Sequence, residues 1–297
     1  MGAAVHLFIS NFRKVSHIIW IFLLLFITYN IYVAVCNPHI TRYQNQWQKN
    51  TSVAQDFIYG KKAESVIVGS SLSARLNQNL LPETFFNLSF SGGSVLTGLE
   101  IIKRTGYIPK HLYIETNLVF RFKSKKMLDP LFYPIWWQIK TYIPALQEKY
   151  QPLNVLLSKN LCSKPSNLNL TTTKGPKLYK DSKENINLQR FNLMMKQRKV
   201  AYKKPLYRRH LKDLKELLKY FKNNGTQIVF FEMPIDHELA MSPKAQERRE
   251  IIKNGFHHTW LPLTKYKDYV TTDGHHLTFK SAYNYTKVFL NNTSNLK

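Results

Sequence analysis

Four short stretches carry the side chains that acyl transfer through a serine needs. They are Val68-Gly69-Ser70-Ser71-Leu72, Asn87-Leu88-Ser89-Phe90-Ser91-Gly92-Gly93, Ile114-Glu115-Thr116-Asn117 and Asp273-Gly274-His275-His276-Leu277. A serine hydroxyl is a weak nucleophile until a base takes its proton, and the oxyanion formed on attack needs donors already aimed at it. Ser71 offers the hydroxyl, and the backbone at Gly92 can approach a ligand closely because it has no Cβ. Asn117 offers a side-chain amide. Asp273 precedes a histidine by two or three residues, so its carboxylate can hold one ring nitrogen and leave the other for the serine. Chemistry alone leaves His275 and His276 both open as the base. Each piece also has a plainer role: a helix-capping serine, a tight-turn glycine, a turn asparagine, a solvated loop. The argument rests on the ordered set.

The elements that must position these residues are legible around them. Ser65-Val66-Ile67-Val68, Phe85-Phe86-Asn87-Leu88 and His111-Leu112-Tyr113-Ile114 are short apolar runs of the kind that form buried strands, and each is followed by one of the stretches. Open parallel α/β sheets bind ligands beyond the carboxyl ends of their strands. The predicted fold is therefore α/β: a flavodoxin-like three-layer sandwich around a central, mainly parallel sheet. Ser71 is placed at a strand–turn–helix junction, where helix amides and the helix dipole would favour a developing oxyanion.

Further along, Tyr207 to Asn224 sets Leu211, Leu214, Leu217, Leu218 and Phe221 on one helical face, closed by Gly225. Thr226 to Glu232 reads as a buried strand and Pro243 to Asn254 as a helix. A short strand is expected near Tyr269-Val270 and a closing helix from about Phe279 to Leu290. Gly98 to Arg104 also has a helical pattern. Residues 120–204 lack this rhythm and are rich in Lys, Asn, Tyr and Trp, which predicts an insertion over the carboxyl edge of the sheet.

Ile18 to Cys36 contains no charged side chain and is long enough to cross a bilayer nearly completely. Arg13 and Lys14 precede it, and no small residue marks a signal-peptide cleavage point, so a retained transmembrane helix with a cytoplasmic N-terminus is predicted. The division is 1–16 cytoplasmic, 17–36 transmembrane, 37–60 a polar stalk, and 61–297 an external domain. A net charge of +25, from 43 Lys and Arg against 18 Asp and Glu, predicts attraction to anionic surfaces. Outside the cytoplasm these are anionic lipid and acidic envelope polymers, not nucleic acid. Cys36 and Cys162 suggest neither a disulfide framework nor a metal-ligand spacing. His237, His257 and His258 lack partners at useful spacing, and no phosphate loop or dinucleotide fingerprint occurs, so neither metal nor cofactor is expected.

Taken together, the four stretches resemble the blocks of the SGNH (GDSL-like) serine hydrolase superfamily. The resemblance makes Ser71 the nucleophile in Gly69-Ser70-Ser71-Leu72, and Asp273 and His276 the Asp-x-x-His pair. It makes the Ser71 and Gly92 amides and the Asn117 side chain the oxyanion hole. Two blocks depart from the pattern: Ser70 stands where the family has aspartate, and Glu115-Thr116-Asn117 lacks the usual glycine and aspartate of its block. The Gly-Ser-Ser variant on one membrane anchor is similar to the branch acting in bacterial envelope modification. That branch includes proteins resembling the D-alanyl-transfer component of teichoic acid synthesis and the alginate O-acetylation proteins. The resemblance implies a single-pass protein of the bacterial inner membrane whose serine esterase or O-acyltransferase domain faces the periplasm or the outside. The substrate would be an ester, such as an O-acetyl group, of an envelope glycan, with a membrane-bound acyl-donor protein as a further partner. A non-catalytic member of the same fold, serving as scaffold or glycan-binding subunit, is the competing expectation.

Overall fold

The computed structural model describes residues 2–158, 187–197 and 204–296. Part of the predicted insertion, with Cys162, lies outside them. The helices are α1 (Gly2–Cys36), α2 (Gln46–Tyr59), α3 (Val95–Arg104), α4 (Lys125–Leu131), α5 (Trp136–Tyr142), α6 (Pro152–Ser158), α7 (Leu188–Gln197), α8 (Lys204–Asn223), α9 (His237–Ala240), α10 (Pro243–Gly255) and α11 (Phe279–Ser294). The strands are β1 (Ser65–Gly69), β2 (Phe85–Ser89), β3 (His111–Glu115), β4 (Gln227–Phe231) and β5 (Thr259–Trp260). All five pair in parallel in the order β2-β1-β3-β4-β5.

The sheet is buried on both faces, which is why its strands read as near-continuous apolar runs. On one face Ile67, Tyr113 and Val229 sit in register across β1, β3 and β4. Phe289 of α11 packs edge-on against Tyr113 and Phe231 of that face. On the other face α3 lies so close to β1 that a Cβ on Gly98 would come 3.0 Å from Val68 Cγ1. Helix α8 covers β4 on this side and buries Leu214, Leu217, Leu218 and Phe221, the stripe its period predicts. Each such side chain contributes roughly 1.5–3 kcal/mol relative to exposure.

Local signals explain the helix starts. Ser94 caps α3 by accepting from Thr97 N–H, so that helix begins before Gly98, and Ser242 caps α10 in the same way through Ala245 N–H. The parallel sheet is as expected, and one expectation about it is corrected: its fifth strand is Thr259–Trp260 rather than Tyr269-Val270. Tyr266–Asp268 forms a 3₁₀ turn, and the extended residues after it make only a single bridge, Thr271 to Leu277. A two-residue strand is too short to show a period.

The chain divides into two compact units, Met1–Ser52 with Tyr133–Leu170, and Val53–Phe132 with Thr171–Lys297. The second holds the sheet. Part of the stretch read as a stalk is helix α2, which buries Ala54 and Phe57 within that second unit. In the first unit Val15–Cys36 is a helix long and apolar enough to cross a membrane. Cys36 is disulfide-bonded. The cysteine spacing gave no signal for this bond.

Candidate active site

The three strands at one end of the sheet set the site. Because β1 lies between β2 and β3, the turn after β1 has the glycine turn after β2 on one side and Asn117, two residues past β3, on the other. Ser71 sits in the turn that leaves β1. Two short 3₁₀ turns, Ser73–Arg75 and Gln78–Leu80, follow it, where a longer helix was expected. Three residues carry no appreciable macrodipole, so the expected helix-dipole contribution at Ser71 falls away.

The turn is instead held from beneath by Glu115, the last residue of β3, which is fully buried. Its carboxylate accepts from Ser70 N–H at 2.8 Å, Ser70 Oγ at 2.8 Å, Ser73 N–H at 3.1 Å and Ser73 Oγ at 2.6 Å. Asn87 Nδ2 donates to Ser73 O at 2.8 Å from the other side. A Cβ on Gly69 would stand 2.6 Å from Glu115 Oε2 and 2.0 Å from Ser73 Oγ, so only glycine fits under this carboxylate. Ser70 is thus committed to the interior, while Ser71, part-exposed, faces the site.

His276 arrives from the loop between β5 and α11. Gly274 has φ +84, a left-handed conformation that favours glycine, and a Cβ there would also press on Leu239 Cδ1 at 2.9 Å. Thr272 N–H donates to His276 O at 2.8 Å and closes the loop. Asp273, buried, lies 2.8 Å through Oδ2 from His276 Nδ1, and its Oδ1 accepts the backbone N–H of His276 at 2.8 Å and of His275 at 3.1 Å. His276 Nε2 lies 2.9 Å from Ser71 Oγ. Burial alone would raise the Asp273 carboxyl, but the hydrogen bonds from the His276 ring and backbone outweigh it and hold it well below the usual carboxylate range. Arg190 Nε, 3.1 Å from Asp273 Oδ2, adds a cationic partner.

Ser71, His276 and Asp273 therefore form one continuous hydrogen-bonded chain. His275 takes no part in that chain. Its Nδ1 has no partner among the described residues, and burial pushes its pKa down to about 4, against the pull of Asp273. This has a measurable consequence. As pH falls from about 6.5 towards 4, the unfolded chain protonates this ring and the folded chain does not, so stability is lost over that window, by roughly 2–3 kcal/mol. Chemical unfolding of His275→Phe at pH 7 and pH 4.5 should show a smaller drop between the two than the parent chain. An equal drop would show that His275 is not buried neutral.

Ser71, Asn117, His275 and His276 line one cavity of about 320 Å3. Asn117 reaches it with part of its hydrogen-bonding capacity already used: Nδ2 donates to Met233 O at 2.9 Å and Oδ1 accepts Met233 N–H at 2.7 Å. An amide has two N–H bonds, so one donor is left. Gly92, with φ +69 and solvent-exposed, is not among the residues lining this cavity. Arg121, Arg190, Lys244 and Arg248 line it as well, features that the motifs did not reveal. Arg121 Nη1 donates to Gly93 O at 3.4 Å. Burial lowers the pKa of its guanidinium, Glu115 opposes this, and the nearby Arg190 adds to it. Arg248 gives Nη2 to the buried Glu232 at 2.8 Å, but its Nε has no partner among the described residues. Among the described residues no group of His, Cys, Asp and Glu is placed to hold a metal ion. Comparison with protein-family models, curated proteins and solved structures found no match to this chain.

Proposed function

We propose that the chain is a membrane-anchored, extracytoplasmic serine esterase or O-acyltransferase that acts on an O-acyl ester of an acidic envelope glycan. The observation that carries this reading is the chain Asp273–His276–Ser71, with 2.8 Å and 2.9 Å links. His276 Nε2 takes the Ser71 proton as Oγ attacks the ester carbonyl, and Asp273 stabilises the imidazolium that forms. The spare N–H of Asn117 and the Ser71 amide receive the oxyanion, and Gly92, outside the cavity, is left without a part in it. Collapse breaks the ester C–O bond, and His276 returns the proton to the leaving alkoxide. Water or a sugar hydroxyl, deprotonated by His276, then releases the acyl group from Ser71. The first acceptor gives hydrolysis, the second transfer, and the same residues serve both.

Four cations around the cavity support an anionic substrate, and the net charge of +25 supports residence against an acidic polymer or lipid surface. Placement in a bacterial cytoplasmic membrane with the sheet-bearing unit outside draws on two features. Arg13 and Lys14 precede the span, although His39 and Arg42 follow it, and Cys36 at its far end is disulfide-bonded, a bond that persists in oxidising compartments.

The second reading, a glycan-binding scaffold without turnover, draws on Asn117, whose amide is bonded to Met233 at both ends. A fluorophosphonate probe on the full chain in detergent separates the two. The esterase reading expects covalent labelling of Ser71, lost in His276→Ala and retained in His275→Ala. A folded protein that never labels is the scaffold.

A further inference from the structure

Residues 133–158 have their polarity inverted. Helix α6 turns Leu153, Leu156 and Leu157 outward, with Leu156 68% exposed, and buries Asn154 and Ser158. Leucines three and four apart form one face of a helix, and in a water-soluble fold that face would be the covered one. The inward face holds Val155 beside these polar groups, which are hydrogen-bonded within the segment except for Asn154 Oδ1, unpartnered among the described residues. Asn154 Nδ2 donates to Glu148 O at 3.0 Å, Ser158 Oγ donates to Asn154 O at 2.7 Å, and Gln147 Nε2 donates to Lys140 O at 3.0 Å. At α5 the pattern repeats: Ile135 is 70% and Tyr142 83% exposed, while Lys140 is buried. Ile135 even holds a positive φ of 64, a strained conformation for a β-branched residue, at the turn into this helix.

This segment is tied to the end of the apolar helix. Ala145 N–H donates to Asn30 Oδ1 at 3.2 Å, the Tyr29 hydroxyl donates to Tyr150 O, and the Tyr150 hydroxyl donates to Asn37 Oδ1 at 2.7 Å. Just beyond the helix, Thr41 N–H donates to Ser158 Oγ at 3.1 Å. Asn30 lies six residues before Cys36, about 9 Å along the helix axis. Val15–Cys36 is the span, so Asn30 and Tyr29 fall below the membrane surface, where polar groups must find protein partners. Residues 143–150 supply them.

We infer that residues 133–158 form a membrane-embedded collar around the outer end of α1, lying in the lipid interface with their apolar face towards acyl chains. Lipid fits both observations: an outward apolar face rich in Tyr, Trp and Leu, the composition of interfacial segments, and hydrogen bonds that fix its depth against the span. Lys149, stacked over Tyr150 with Nζ 4.6 Å from the ring centroid, adds a cation at headgroup level. The inference rests on Val15–Cys36 crossing the membrane and is independent of the esterase reading.

The test uses the full chain reconstituted in bilayers containing a phospholipid with a diazirine near the middle of its acyl chain, followed by photolysis and peptide mapping. Adducts are expected on 133–142 and 153–157 in addition to 15–36. Adducts confined to 15–36 would overturn the collar, and their absence from 15–36 would remove the span on which it depends. In a Leu153→Glu, Leu156→Glu variant both changes fall on exposed positions, so the fold is kept in detergent. Adducts on α6 should be lost while those on 15–36 remain, and undiminished adducts on α6 would again overturn it.

Discussion

Ser71→Ala should lower kcat/KM on a small acetyl ester by about 10⁴- to 10⁶-fold with the fold intact, since a triad serine acts as a unit with its base. Ser70→Ala should leave the same assay within roughly tenfold and instead lower stability. Ser70 Oγ is 2.8 Å from Glu115 Oε1 and also accepts Leu72 N–H at 3.1 Å. Removing it costs about 1–3 kcal/mol for groups left short of a partner. The two serines are adjacent in sequence and opposite in consequence, so the pair is more telling than either alone. Thermal unfolding beside turnover reads both. Ser70→Ala that stays folded yet loses activity as completely as Ser71→Ala would mean that the nucleophile has been assigned to the wrong residue.

The sheet was legible because its strands are buried on both faces and read as unbroken apolar runs, and α8 because five apolar residues repeat at a helical period. The loop Thr272 to His276 was legible because all of its geometry is local: carboxylate, ring and closing amide lie within five consecutive residues. What lay beyond the sequence depends on contacts between distant segments. Arg190 meets Asp273 from another part of the chain, and β5 is held by its neighbour β4 rather than by any pattern of its own. The helix expected after Ser71 is instead two short 3₁₀ turns, Ser73–Arg75 and Gln78–Leu80, with Leu76 and Leu81 packed on the core cluster.

Glu115 is the sharpest case. Two of the positions where the stretches depart from the SGNH pattern they resemble, Ser70 and Glu115, are hydrogen-bonded to each other, although 45 residues separate them. Read singly, each looked like a lost feature; the register of β1 against β3 makes them one device. Two carboxylates at these positions would repel in a buried site, whereas a serine opposite a glutamate donates to it. Glu115→Ala should therefore destabilise the protein by roughly 3–5 kcal/mol, because the backbone N–H groups of Ser70 and Ser73 are left buried without an acceptor. Glu115→Gln keeps the volume but turns an N–H₂ towards those donors, and should cost less than the alanine variant. Glu115 does not touch the reacting atoms, so its effect on turnover passes through the placement of Ser71. A misplacement of about 1 Å can cost on the order of 100-fold. In Glu115→Gln, measured where the protein is fully folded, kcat and the rate of fluorophosphonate labelling should fall together while KM stays near its parent value. A merely structural role would lower the melting temperature and leave the labelling rate per folded molecule unchanged, and that outcome would reduce Glu115 to a core polar group.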